Sequence, residues 1–213
     1  MILFATALSS YSAKVRIALK VKQVDFEERL PPGGYRSAQY RAIVPMGTLP
    51  AIQVGDWTLS ESEAINEYLE ETYPQPPMLP RDLALRAKVR FFCRFHDLHL
   101  EPPVRALFAH ARLAGRVDAQ VALRRAEIAQ RAVQLAEWSQ PQPYLLTSHI
   151  SLADCGPLVT LPLAQQLLAA CGQPLELPPR LQSWLDQASL HPAVESALAP
   201  WRVATRAWLN PES

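Results

Sequence analysis

The run Tyr73-Pro74-Gln75-Pro76-Pro77-Met78-Leu79-Pro80 constrains this chain more than any other feature. Four prolines in seven residues remove backbone donors and fix φ, so neither a helix nor an interior strand passes through. The two sides of the run have different grammars. Before it, short apolar stretches alternate with turn signals. After it, almost everything carries a helical rhythm. Residues 1–80 hold 7 basic and 9 acidic side chains, whereas residues 81–213 hold 14 and 11. We read two domains, 1–76 and 83–213, with 77–82 as a Pro-containing linker.

In the first domain, Met1-Ile2-Leu3-Phe4-Ala5 reads as a buried strand. Ser9, Ser10 and Ser12 then precede Val15, Ile17, Ala18, Leu19 and Val21, an N-cap signal ahead of a helical core face. Val24-Asp25-Phe26-Glu27 alternates and predicts a second strand, and Pro31-Pro32-Gly33-Gly34 must be irregular. Thr48 to Val54, the Gly55-Asp56 turn and Trp57-Thr58-Leu59 predict a hairpin. Ser60-Glu61-Ser62-Glu63 opens a helix whose expected apolar face is Ala64, Ile65, Tyr68 and Leu69. A crossover helix between two strands implies a parallel pair, and the hairpin adds an antiparallel one. The fold class is therefore a small mixed α/β sheet with helices packed on it, followed by an all-α domain.

The second half predicts helices over roughly 82–112, 118–138, 152–170, 178–188 and 192–207. Leu83, Ala87, Phe91, Phe95 and Leu98 set the rhythm of the first, which Pro102-Pro103 should kink or interrupt. Ser151-Leu152-Ala153-Asp154 has the shape of a capping box with Asp in the fourth place.

Composition excludes several function classes. With 21 basic and 20 acidic side chains, the net charge of +1 offers no footprint for a nucleic-acid backbone. Cys93, Cys155 and Cys171 are too few and too scattered for a disulfide scaffold or a zinc knuckle, and suit a reducing, cytoplasmic setting. No apolar run reaches the roughly 18 residues of a membrane span. His96 and His99 share a helical face but lack the spacing and central Glu of a zinc helix, so we expect no metal.

Three segments could carry chemistry. Ser9 ends the first strand at the mouth of a helix, where a hydroxyl and free N–H groups favour an anion, although one of these serines could simply cap the helix. A cis Leu49–Pro50 bond would turn the Leu49 backbone outward to pair with an extended peptide; an ordinary trans proline is the alternative. Glu61 could take an amino group and Ser62 a carboxylate, or the pair could be a helix cap with an acidic first turn.

Taken in order, Ser9-Ser10-Tyr11-Ser12-Ala13-Lys14-Val15-Arg16-Ile17-Ala18-Leu19, Val44-Pro45-Met46-Gly47-Thr48-Leu49-Pro50-Ala51-Ile52 and Leu59-Ser60-Glu61-Ser62-Glu63-Ala64-Ile65-Asn66-Glu67-Tyr68-Leu69 resemble the glutathione S-transferase superfamily. The linker, the helical half and the Ser151–Asp154 cap fit the same pattern. The resemblance implies a thioredoxin-like first domain, a helical second domain, glutathione as co-substrate and a homodimer. It matches Ser9 to the serine that donates a hydrogen bond to the glutathione thiolate, with Ser10 as runner-up. Leu49 matches the residue that pairs with the cysteinyl backbone, Glu61 and Ser62 match the pair that holds the γ-glutamyl group, and Pro50 and Asp154 match structural positions.

Ser9-Ser10 and the following helix resemble the zeta class, which includes maleylacetoacetate isomerase. That class has Cys where Tyr11 stands, and basic residues in the helix after the Asp154-type cap, where the stretch Cys155 to Cys171 has none. Leu59 to Tyr73 and Tyr144 to Asp154 look more like a bacterial stress-related group with transferase and glutathione-dependent peroxidase activity, which is the preferred branch. The implied second substrate is a small hydrophobic electrophile or a hydroperoxide. Arg105, Leu107, Phe108 and Arg112 are candidate lining, or else core and solvated face. Two other readings stay open: the isomerase, and a glutathione-binding module without catalysis.

Overall fold

The computed structural model describes residues 1–111, 118–141 and 143–210. The chain divides into two compact units, Met1–Met78 with Pro192–Ala204, and Leu79–His191 with the chain from Thr205. The division falls after Met78, inside the proline-rich run. The grouping of Pro192–Ala204 with the N-terminal unit was not foreseen from sequence.

The first unit holds β1 (Ile2–Phe4), α1 (Ser10–Val21), β2 (Glu27–Arg29), α2 (Ala38–Arg41), β3 (Ala51–Val54), β4 (Trp57–Ser60) and α3 (Ser62–Thr72). The sheet order is β2-β1-β3-β4. β1 and β2 run parallel with Leu3 opposite Glu28, as a crossover through α1 requires. β3 lies antiparallel to both β1 and β4, the latter closed by the hairpin at Gly55. This is the mixed, thioredoxin-like sheet expected.

The second strand differs from expectation. It starts at Glu27 instead of Val24, because the Val24 N–H is taken by the Leu19 carbonyl at 3.0 Å, closing the end of α1. The Glu27 N–H is the first to reach β1, at the Met1 carbonyl, 3.0 Å away. On α3 the buried residues are Ser62, Ile65, Asn66, Leu69 and Glu70, while Ala64 is exposed. The true inward face is thus partly polar. Burial of Glu70 follows from Lys22, buried just past the end of α1, whereas the Asn66 amide is buried with no hydrogen-bond partner among the described residues. Lys14 pairs with Glu63 at 2.5 Å and Lys22 with Glu70 at 2.6 Å. Under the sheet, Phe4, Tyr40, Val44 and Ala51 form a core cluster, with Tyr40 edge-on to Phe4 and its hydroxyl donating to the Thr48 carbonyl.

The second unit holds α4 (Leu83–Phe95), a π-helical turn (His96–Leu100), α5 (Glu101–Ala106), a 3₁₀ turn (Leu107–Ala109), α6 (Asp118–Ser139), α7 (Leu152–Cys155), α8 (Pro157–Ala170) and α9 (Pro179–Ser189). The last helix, α10 (Pro192–Leu209), starts in the first unit and ends here. Pro102 and Pro103 sit in the first turn of α5, where absent N–H groups are harmless, and the π turn lies just before them.

On α4 the expected core stripe is largely the outer one. Leu83, Phe91 and Leu98 are exposed, and Val89, Phe92 and Cys93 are buried. The helix has two apolar faces, and periodicity alone does not say which one meets the core. Phe95 alone of the two sets is shared, being buried while it touches Phe91, Trp138 and His99.

Asp154 caps α7 as expected of a capping box. Its carboxylate accepts from the Ser151 N–H and hydroxyl, the Leu145 N–H and the Trp184 indole N–H, all at 2.7–3.0 Å.

Candidate active site

Ser9 is the N-cap of α1, with extended backbone at φ −71° and ψ 116°. Its Oγ accepts from the Ser12 N–H at 3.2 Å. A hydroxyl both accepts and donates, so the cap uses a lone pair and leaves the proton of Oγ for another acceptor. Ser9 is half-buried, while Ser10, the first helical residue, is buried. The positive end of α1 faces the same place as the Ser9 hydroxyl.

The Leu49–Pro50 peptide bond is cis, the alternative that the sequence left open beside a trans proline. Pro50 is buried and feeds directly into β3, and Leu49 is half-buried before it. Neither the N–H nor the carbonyl of Leu49 has a backbone partner among the described residues.

Glu61 stands at the N-cap of α3 with φ 76° and ψ 113°, outside the regions that non-glycine residues favour. Its exposed side chain makes no capping bond. Ser62 follows as the buried first helical residue. Glu63, the other acid of this turn, is committed to the buried Lys14 ammonium.

The sequence reading missed two cations of α1, Lys14 and Arg16, which lie among apolar neighbours in a helix that reads as a core face. The only signal for them was their position inside that face. Arg16 forms a bidentate fork on Glu28 and also reaches the Thr6 carbonyl at 3.0 Å.

The residues proposed to line a second substrate lie in the other unit. Leu107 is core. Phe108 is half-buried with its ring 5.0 Å from that of Trp208. Arg105 is exposed and 3.4 Å from Glu101. Arg112 falls outside the described residues, as does Arg116. Arg124 is paired with Glu127, and Arg125 donates to the Pro174 carbonyl. His96 is buried between Asp97 at 2.8 Å and Thr160 at 2.7 Å, whereas His99 is exposed. Among the described residues, no group of three or more His, Cys, Asp or Glu is placed to hold a metal ion.

Residues 3–77 match the family model of the glutathione S-transferase N-terminal domain. The chain is also 33% identical over 204 residues to the maleylacetoacetate isomerase of Pseudomonas aeruginosa, covering 89% of this chain and 91% of that protein. The chain belongs to the glutathione S-transferase family. Glutathione is the co-substrate of this family. The same fold is found in a bacterial zeta-class enzyme, maleyl pyruvate isomerase in its holo form, with a TM-score of 0.80 at 24% identity over 94% of this chain and 97% of that one. A theta-class glutathione S-transferase of Xanthomonas axonopodis pv. citri with glutathione bound superposes with a TM-score of 0.77 at 24% identity, covering 93% and 96%. The transferase shares with them the sheet and the helical half. Among the described residues, no helix is long and apolar enough to cross a membrane.

Proposed function

We propose that this transferase activates the thiol of bound glutathione with Ser9 and adds the thiolate to an unsaturated dicarboxylic acid. The observation that carries the reading is the Ser9 hydroxyl, which caps α1 through a lone pair and keeps its proton for an external acceptor. A free thiol with a pKa of about 8.5 is only a few per cent ionised at neutral pH. A hydrogen bond to a charged group contributes about 1.5–3 kcal/mol, or roughly one to two pKa units. That makes the thiolate a major species. Ser9 acts as donor and not as nucleophile, which would need a base. Ser10, buried in the first turn, is the less accessible donor. In this reading Leu49 pairs with the cysteinyl backbone, Pro50 sets its direction, Glu61 takes the γ-glutamyl ammonium, and the Ser62 hydroxyl and N–H take its carboxylate.

The names of the relatives point to the substrate class. Maleylacetoacetate and maleyl pyruvate share a maleyl group, a cis carbon–carbon double bond beside carbonyls. The thiolate adds to that double bond, forming a carbon–sulfur bond and an enolate. Rotation about the resulting single bond, collapse of the enolate and departure of the thiolate leave the trans isomer and unchanged glutathione. Turnover of maleylacetoacetate that requires glutathione and is lost in Ser9→Ala tests the reading; binding of glutathione with no turnover and an unshifted thiol would make the protein a binding module.

One observation favours a second substrate class. Helix α8 carries no Arg or Lys, so a dicarboxylate must find its cation elsewhere, with Arg105 and Arg112 as candidates beside Phe108. A small apolar electrophile or an organic hydroperoxide needs no such cation and would suit a role in detoxification or oxidative stress. Parallel assays with maleylacetoacetate, an aryl halide and cumene hydroperoxide separate the classes.

A homodimer is part of the same proposal, supported by the exposed apolar stripe of α4 and the exposed Trp138 beside Phe91. The three cysteines, all buried and none in a disulfide, support a reducing, cytoplasmic setting.

A further inference from the structure

Arg16 lies in the middle of α1 and is 3% exposed. Its Nε donates to Glu28 Oε2 at 2.7 Å, and Nη2 donates to Glu28 Oε1 at 2.6 Å and to the Thr6 carbonyl at 3.0 Å. The Thr6 carbonyl has a second donor, the backbone N–H of Ser9 at 3.2 Å. One residue earlier, the Ala5 N–H donates to the Arg29 carbonyl at 3.0 Å. The turn from Ala5 to Ser9 is therefore tied to β2 twice, once by backbone and once through the guanidinium and the Glu28 carboxylate.

Stability alone gives a poor reason for an arginine here. A pair between a buried guanidinium and an exposed carboxylate is at best a weak stabiliser compared with an apolar side chain of similar volume. Nη1 is also buried with no partner among the described residues, which is unfavourable. An apolar side chain would fill the same space, but it could not hold a carbonyl oxygen. A site of this kind must fix its donor to within about 0.5 Å, and the carbonyl that Arg16 holds is the one to which Ser9 is bonded.

We infer that Arg16 is a positioning residue for thiol activation, which sets the Ser9 hydroxyl by holding the Thr6 carbonyl. The inference rests on Ser9 being the activating donor. Arg16 acts through the turn and not by its own field at the sulfur.

A double-mutant cycle tests it on the full chain, reading the pKa of the bound glutathione thiol by ultraviolet difference absorbance. Arg16→Met is expected to raise that pKa by about half a unit or more, with glutathione affinity changed by less than about threefold. In a Ser9→Ala background the same substitution should add nothing. No rise in the single variant overturns the inference, and an equal rise in the Ser9→Ala background does so too, because it would mean a direct field effect. If Ser9→Ala alone leaves the thiol pKa unchanged, the Ser9 reading itself fails and the role of Arg16 falls with it. Should Arg16→Met not fold, Glu28→Ala removes the anchor of the guanidinium at a partly exposed strand position; a rise that disappears without Ser9 supports the inference, and no rise overturns it.

Discussion

The Ser9 hydroxyl holds the start of α1 with a lone pair and keeps its proton, so capping does not compete with the donor role proposed for it. Ser9→Ala should raise the pKa of the bound thiol by about one to two units and move the pH–rate profile for kcat/KM to the alkaline side by the same amount. A profile that keeps its acid limb in place would exclude the assignment. Two residues of the second unit make equally sharp predictions. Asp154 is buried with four donors and, among the described residues, no counter-cation; burial pushes its carboxyl above the usual range, more than the hydrogen bonds from Leu145, Ser151 and Trp184 lower it. A carboxyl whose folded pKa lies above its unfolded one loses stabilising effect as pH rises from about 4 through the folded value. The wild type should therefore lose stability relative to Asp154→Asn over that window, measured by urea unfolding at several pH values. Thr160 has one proton, which goes to Glu101 Oε2 at 2.5 Å, so its oxygen accepts from His96 Nε2 at 2.7 Å. Thr160→Val leaves both neighbours short of a partner and should destabilise by about 3 kcal/mol or more in the same measurement.

At the scale of elements, α1 and α3 are joined by two buried cations as much as by apolar contact. Lys22 holds Glu70 and also donates to the Tyr73 and Pro76 carbonyls, so it fixes the exit of α3 where the proline-rich run begins. Lys22→Met would leave Glu70 buried without its cation and should cost about 3–5 kcal/mol in denaturant unfolding. The elements legible in the sequence were those with local causes. Ser9 before an apolar face, the Gly55-Asp56 turn and the Ser151–Asp154 cap each act within a few residues, and each was read correctly. The elements misplaced were those decided by distant partners. The start of β2 depends on which carbonyl takes the Val24 N–H, and the burial of Glu70 on α3 depends on Lys22 just past the end of α1. The same holds for chemistry. In the proposed site, Ser9 and Glu61 stand at helix starts, whereas the role inferred for Arg16 runs through a carbonyl 10 residues away, and from sequence that residue looks like an interruption of a core face.

For the whole molecule, the exposed Leu83 and Phe91 of α4 and Leu98 of the turn after it are what most supports the proposed dimer. Phe91→Glu should give a 23.8 kDa species in sedimentation velocity where the parent chain gives a dimer, while the thiol pKa of bound glutathione stays put. A parent chain that sediments as a monomer would remove the dimer from the proposal. The grouping of Pro192–Ala204 with the first unit has a consequence during synthesis. Val194, Ala197, Leu198 and Trp201 are all buried, and they belong with residues made long before them. At ordinary translation rates residues 1–78 wait on the order of ten seconds for that segment to appear. Until then the nascent first unit lacks its last buried segment, and its folding cannot finish before the C-terminal helix has emerged.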